Sequence, residues 1–218
     1  MPFMHLDRRW FAITGGFGLL HEPIHRRIKR LCDLALALAL LLLSCPLLLA
    51  TLVAVRLCGG PGPVIYRQIR AGTRGRPFTI FKVRSMRQNA ETAGAQWAQQ
   101  SDPRVFWLGK WLRKFRIDEL PQLWNILRGE MSFIGPRPER PEFTTELKQH
   151  IPFFGLRLLV KPGLTGWAQV NYPYGASIED AREKVEFDLY YIKHQSLWLD
   201  VVIVMHTVRV VMRGFGGR

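Results

Sequence analysis

The sequence predicts a mostly helical α+β protein: a membrane helix broken near its middle, followed by one compact cytosolic domain. Three observations predict it. Residues 34–55 carry no charge and are apolar on every side. The remainder alternates short helical and strand-like patterns, with two strand runs close enough in sequence to form a β-hairpin. The length of 218 residues suits one domain with a small appendage. The chain divides into a short N-terminal extension (1–25), a membrane segment (26–58) and the folded domain (59–218).

Residues 1–25 hold little pattern, and the apolar run after them starts too late and runs too long for a cleavable signal peptide. Residues 34–55 reach across a hydrocarbon layer of about 30 Å as a helix. Pro46 removes one backbone donor and crowds the carbonyl of Leu42, and Ser44 is placed to bond the backbone this frees. Basic residues flank the run on both sides, from Arg26 to Arg30 and from Arg56 to Arg76. A simple crossing has one basic and one less basic flank. The pattern therefore favours a re-entrant helix, broken at Ser44 and Pro46 and leaving by the leaflet it entered, over a spanning one.

Residues 58–63 stop the helix with three glycines and two prolines. Residues 64–66 and 78–83 read as the hairpin strands around a basic loop, 68–76. A polar helix is expected over 90–100 and an amphipathic one over 105–115, with Val105, Leu108, Trp111 and Leu112 inward. Asp118 is placed to cap the next helix, which buries Leu120, Leu123, Trp124 and Leu127 and stops at Gly129. Residues 152–160 fit an interfacial helix or core packing equally. Residues 161–167 read as a loop, 168–171 as a strand, 178–193 as an amphipathic helix, and 197–212 as a packed or interfacial helix.

The net charge of +14 calls for an anionic partner. Nucleic acid is disfavoured, because no zinc-finger or RNA-recognition motif is present and a surface of anionic membrane lipid explains the basicity better. The three cysteines (Cys32, Cys45, Cys58) cluster at the apolar run and read as fillers. No phosphate-binding glycine loop and no nucleophile elbow occurs. The charged residues concentrate around Asp118 and Glu119, two adjacent carboxylates set among Arg113, Lys114, Arg116, Arg128, Arg137 and Arg140. Such a pair raises its own pKa unless a cation neutralises it. Magnesium does so while also taking phosphate oxygens, so Asp118 and Glu119 are the candidate ligands. Arg137 and Arg140, with Lys82, Arg84 and Arg116, are the candidate phosphate ligands. A competing structural reading has Asp118 capping a helix and Glu119 paired with an arginine.

Long ordered stretches carry a resemblance: KRLCDLALALALLLLSCPLLL, PVIYRQIRAGTRGRPFTIFKVRSM, RIDELPQLWNILRGEMSFIGPRPERPEF, VKPGLTGWAQVNYPYGAS and EKVEFDLYYIKHQSLWLD. They resemble the bacterial sugar transferases, the monotopic phosphoglycosyl transferases, in a short form and with features of an exopolysaccharide branch. The resemblance covers residue 26 to the C-terminus. It implies transfer of a sugar-1-phosphate from a nucleoside diphosphate sugar, usually a UDP-sugar, to polyprenyl phosphate with release of UMP. It gives Asp118 the role of covalent nucleophile, Glu119 that of magnesium support and Arg137 that of phosphate ligand, and it puts the re-entrant break at Ser44 and Pro46. It implies the cytoplasmic face of the bacterial inner membrane and a homodimer. Val83, Glu130 and the inserted Cys45 depart from the family pattern; Cys45 bears on the geometry of the break. A catalytically silent membrane scaffold is the alternative, and the intact dyad argues against it.

Overall fold

The computed structural model describes residues 22–88, 90, 102–172, 175 and 177–213. Most of the extension 1–25 and of the expected helix 90–100 lies outside the described residues. Helix α1 runs from Pro23 to Cys58, the hairpin strands β1 and β2 over Ile65–Ala71 and Pro77–Val83, and α2 over Trp107–Lys114. A 3-10 turn (Ile117–Glu119) leads to α3 (Gln122–Arg128) and β3 (Ser132–Ile134). Helix α4 (Pro141–His150), a 3-10 segment (Phe154–Leu159) and β4 (Gly163–Thr165) follow. The chain closes with α5 (Trp167–Asn171), α6 (Ile178–Lys193) and α7 (Leu197–Met212).

Helix α1 is helical without interruption through Ser44 and Pro46, so the expected pair of helices around a break is one continuous element. Pro46 costs one backbone bond, and the turns on either side keep theirs. Ser44 Oγ donates to Leu40 O at 2.6 Å, its own preceding turn, and not to the carbonyl of Leu42 that Pro46 orphans. The helix is long and apolar enough to cross a membrane by length and composition. Its two ends dock on the same folded body. Ala37 enters the main core with Leu36, Leu40 and Leu41 beside it. Val55 enters a second cluster with Val83, Phe106 and Leu112. Between and around them Leu38, Leu42, Leu43, Leu47, Leu49, Val53 and Leu57 face outward.

Three polar contacts fasten the start of α1. Lys29 Nζ meets Asp200 at 2.7 Å. Arg30 donates to the carbonyls of Ile126 and Leu127 at 2.6 and 2.9 Å, at the C-terminal end of α3. Asp33 Oδ1 accepts from Ser132 Oγ and Phe133 N at 3.1 and 2.9 Å.

The main core collects Leu123 and Ile126 of α3, Met131, Phe133, Leu147, Phe154, then Val185, Leu189 and Ile192 of α6 and Ile203 of α7. Helix α6 begins where the sequence places it, because Ser177 and Asp180 form a reciprocal capping box. The hairpin is antiparallel, with Ile65 opposite Val83 and Ala71 opposite Pro77; its strands extend to Ala71, so the loop is shorter than the expected 68–76. Strands β3 and β4 pair in parallel. The strand expected at 168–171 is helical, and the strand begins five residues earlier, inside the expected loop. Gly163 explains the shift: a Cβ there would sit 2.1 Å from Gly135 N, so only glycine lets β4 approach β3 this closely.

The two expected buried stripes hold at Val105, Leu108 and Leu112 and at Leu120, Leu123 and Leu127, and fail at the tryptophan of each. In α2, Trp107 and Trp111 are 62% and 55% exposed, and Gly109 and Leu112 turn inward. Gly109 fixes this face, since a Cβ there would strike Ser85 O at 2.1 Å. In α3, Trp124 faces out, while Leu123, Asn125 and Ile126 face in. Residues 154–159 resolve to core packing through Phe154 and Arg157.

Candidate active site

Helix α2 ends at Lys114, and Arg116 adopts the left-handed region at φ 57°, which turns the chain sharply into the 3-10 turn carrying Asp118 and Glu119. Asp118 does not cap α3: Pro121 holds that position, with no side-chain cap. Both carboxylates are buried, yet their surroundings differ. Glu119 Oε1 lies 2.9 Å from Lys82 Nζ and 2.6 Å from Arg137 Nη2, and its Oε2 lies 3.5 Å from Arg116 Nη1. Burial pushes the Glu119 carboxyl up, but Arg137, Lys82 and Arg116 outweigh it and hold the group well below the usual carboxylate range. Asp118 Oδ1 is buried with no hydrogen-bond partner among the described residues. Burial first, and the charge of Glu119 second, push its carboxyl up to about 6 against the pull of Lys82, Arg113 and Arg116. Lys82 in turn is lowered by burial, opposed by Glu119.

The structure therefore brings together five of the seven sequence-derived site residues or sets them close by: Asp118, Glu119, Lys82, Arg116 and Arg137. The three cations meet at Glu119, as the structural reading of the dyad expects for that residue. Arg140 stands two residues past Pro138, over the Phe143 ring at 6.0 Å. Arg84 is elsewhere. It is buried and donates to Gly60 O at 2.9 Å and to Pro61 O, clamping the loop after α1, and no described contact joins it to the dyad. Sequence reasoning also passed over several residues. Asn125 ties α3 to β2, with Nδ2 on Thr79 O at 2.7 Å and Oδ1 accepting from Phe81 N at 3.3 Å. Arg70, Arg157 and Asp188 lie behind the segment that carries Arg137. A buried position inside an apolar run, as at Arg157, was the available signal.

The chain matches the family described as bacterial sugar transferase over residues 24–214. It belongs to that family. A UDP-N-acetylgalactosamine-undecaprenyl-phosphate N-acetylgalactosaminephosphotransferase of Aeromonas hydrophila is 51% identical over the whole of this chain and 54% of its own length. A UDP-glucose:undecaprenyl-phosphate glucose-1-phosphate transferase of Escherichia coli K12 is 44% identical over 85% of this chain and 40% of its own. An uncharacterized sugar transferase of Bacillus subtilis, EpsL, is 38% identical over 85% of this chain and 87% of its own length. The chain thus spans about half or less of the first two relatives.

Among the described residues no group of three His, Cys, Asp or Glu side chains could hold a metal ion. A cage made of protein ligands alone does not fit. Magnesium more often takes one or two carboxylates and completes its shell with water and substrate phosphate. The unpartnered Asp118 Oδ1, beside Glu119, fits that mode.

Proposed function

We propose that this chain transfers a sugar-1-phosphate from a UDP-sugar to polyprenyl phosphate and releases UMP. The inequality of the two carboxylates carries the reading: Glu119 is held by three cations, and Asp118 beside it presents a buried oxygen without a hydrogen-bond partner among the described residues. A carboxylate stripped of hydrogen bonds and water is a better nucleophile than a solvated one. Asp118 attacks the sugar-linked phosphorus of the donor, and the bond from that phosphorus to the bridging oxygen breaks. The electron pair leaves with UMP, and the sugar-phosphate stays on Asp118. An oxygen of polyprenyl phosphate then attacks the same phosphorus, the Asp118 oxygen–phosphorus bond breaks, and the carboxylate is restored. Arg137, Lys82 and Arg116 supply positive charge where the phosphate oxygens arrive. A magnesium ion held by Asp118, Glu119 and donor oxygens would screen the phosphate from its anionic attacker. One site serves a soluble donor and a lipid acceptor in turn, which a covalent intermediate permits.

The same reading puts the site at the cytoplasmic face of the inner membrane, with α1 re-entrant. Support comes from the docking of both halves of α1 on one folded body and from the basic flanks at each end. Trp107, Trp111 and Phe115 form an exposed aromatic stripe on α2 with Lys114 over two of the rings, a composition suited to an anionic lipid interface.

The test is the nucleotide released. Purified protein in detergent, with magnesium and polyprenyl phosphate, is given a panel of UDP-sugars that starts with UDP-N-acetylgalactosamine and UDP-glucose, the donors named for the relatives. UMP that depends on the lipid and is lost in Asp118→Asn supports the reading. UDP would mean ordinary glycosyl transfer and would remove Asp118 as nucleophile.

A further inference from the structure

Behind the dyad, four consecutive carbonyls are each held by a separate donor. Gly163 N donates to Pro136 O at 2.9 Å, and Arg157 Nη2 donates to Arg137 O at 2.9 Å. Arg70 Nη1 donates to Pro138 O at 3.0 Å, and Ala71 N donates to Glu139 O at 2.9 Å. These donors come from β4, the 3-10 segment and β1. The segment 136–139 is irregular and cannot satisfy its own carbonyls, so its shape is imposed from outside. Two of the four donors are side chains, and each is itself fixed. Arg157 is ion-paired with Asp188 of α6 at 2.8 Å, and both side chains are buried. Arg70 is gripped by Gln68 Oε1, 3.0 Å from Nε and 2.5 Å from Nη2.

We propose that Arg157, seated on Asp188, and Arg70 are positioning residues that hold the main chain at Arg137 and Pro138, so that the Arg137 guanidinium meets Glu119 and the donor diphosphate in one fixed orientation. The proposal rests on the transfer reaction proposed above. The geometry argues for positioning and not for bulk stability. A buried guanidinium is costly to desolvate, and a packed apolar side chain would fill the space at lower cost. Arg157 spends its hydrogen bond on the carbonyl of the one residue whose side chain reaches the dyad at 2.6 Å. Proline on both sides of Arg137 limits the backbone freedom left to it, so a donor on its carbonyl sets the remaining dihedral. No hydrogen bond or ion pair among the described residues joins Arg157 to Asp118 or Glu119, so an effect on turnover by positioning passes through Arg137, and one by weakening of the fold does not depend on it.

A double-mutant cycle between Arg157→Gln and Arg137→Gln tests this, read as kcat and KM for the UDP-sugar with saturating lipid acceptor. Positioning predicts that Arg157→Gln lowers kcat/KM about tenfold in the wild-type background, and less than about twofold once Arg137 is glutamine. Equal losses in both backgrounds would overturn it, because a general weakening of the fold does not depend on the Arg137 side chain. Arg157→Gln leaves Asp188 without its cation. If that variant does not fold, Arg157→Gln with Asp188→Asn removes both charges and enters the same cycle. Lower turnover with an unchanged thermal midpoint supports the proposal, and a loss of turnover that tracks the midpoint overturns it. Absence of sugar-phosphate transfer by the wild type would defeat the functional reading and the inference together; transfer with an additive cycle defeats the inference alone.

Discussion

At Glu119 one carboxylate meets Lys82, Arg137 and Arg116, while Oδ1 of the carboxylate one residue earlier has no hydrogen-bond partner among the described residues. Asp118→Asn should therefore lower turnover by about a thousandfold or more with the fold intact, because it removes the attacking oxygen and little else. Near-normal rates in that variant would remove the covalent role. Asp118 must be ionised to attack, and burial with the Glu119 charge raises its carboxyl to about 6. Below that pH the ionised fraction falls about tenfold per unit, and kcat/KM should fall with it. A bound cation favours the carboxylate and moves this limb to lower pH, so an acid limb above about pH 7 would contradict the assignment. Glu119→Gln deletes the neighbouring negative charge, so the acid limb should move down and more magnesium should be needed for half-maximal rate. An unchanged magnesium titration would count against metal support. The dyad itself was legible from composition: two carboxylates in a basic run stand out in any window. Its asymmetry was not legible, because it depends on β2 delivering Lys82 and the 136–139 segment delivering Arg137 to the same oxygen. The exclusion of Arg84 was equally invisible, since nothing near it in the sequence points to the carbonyls of Gly60 and Pro61.

Elements that carry their own signals matched the structure: the amphipathic pattern of α6, Gly129 at the end of α3, the glycine and proline stop after α1. Elements set by contacts did not. Trp111 and Trp124 sit at positions that fit a buried face by periodicity, and both face outward, because Gly109 and Leu112 in α2 and Asn125 and Ile126 in α3 take the inward side. The exchange of strand and loop at 163–171 followed from close backbone approach at Gly163, a property of the pair and not of the segment. Replacing Trp107, Trp111 and Phe115 by serine should leave the melting midpoint nearly unchanged and weaken binding to vesicles containing anionic lipid by about tenfold. Equal vesicle binding would remove α2 from the membrane surface. Asp33→Ala would strip Phe133 N of its acceptor in a buried place, at a cost of about 1–3 kcal/mol, read as a shift in the unfolding midpoint in detergent. No shift would mean that the latch between α1 and β3 is dispensable.

For the whole molecule the test is sidedness. A straight helix of 36 residues is about 54 Å long, more than the hydrocarbon layer needs. With α1 re-entrant, an N-terminal tag on the wild type is open to protease in inverted vesicles. Pro46→Ala restores the missing backbone donor and should shift the population toward a spanning, protected form. Protection of the wild type would sink re-entry. The mostly helical α+β class and the long apolar helix were legible because hydrophobic length and periodicity are read along the whole chain. The docking of α1 was not, because a lone Asp33 beside an apolar run gives no hint of its partners a hundred residues on. That docking bears on how the chain folds. Ala37 and Val55, each 0% exposed, seat the helix in two separate cores, so the body has no closed interior without it. Within this chain α1 precedes its partners on α3, β3 and α7, so the interior closes only when those later elements pack back onto it. The apolar helix is thus a folding partner of the body as well as a segment long enough to cross a bilayer.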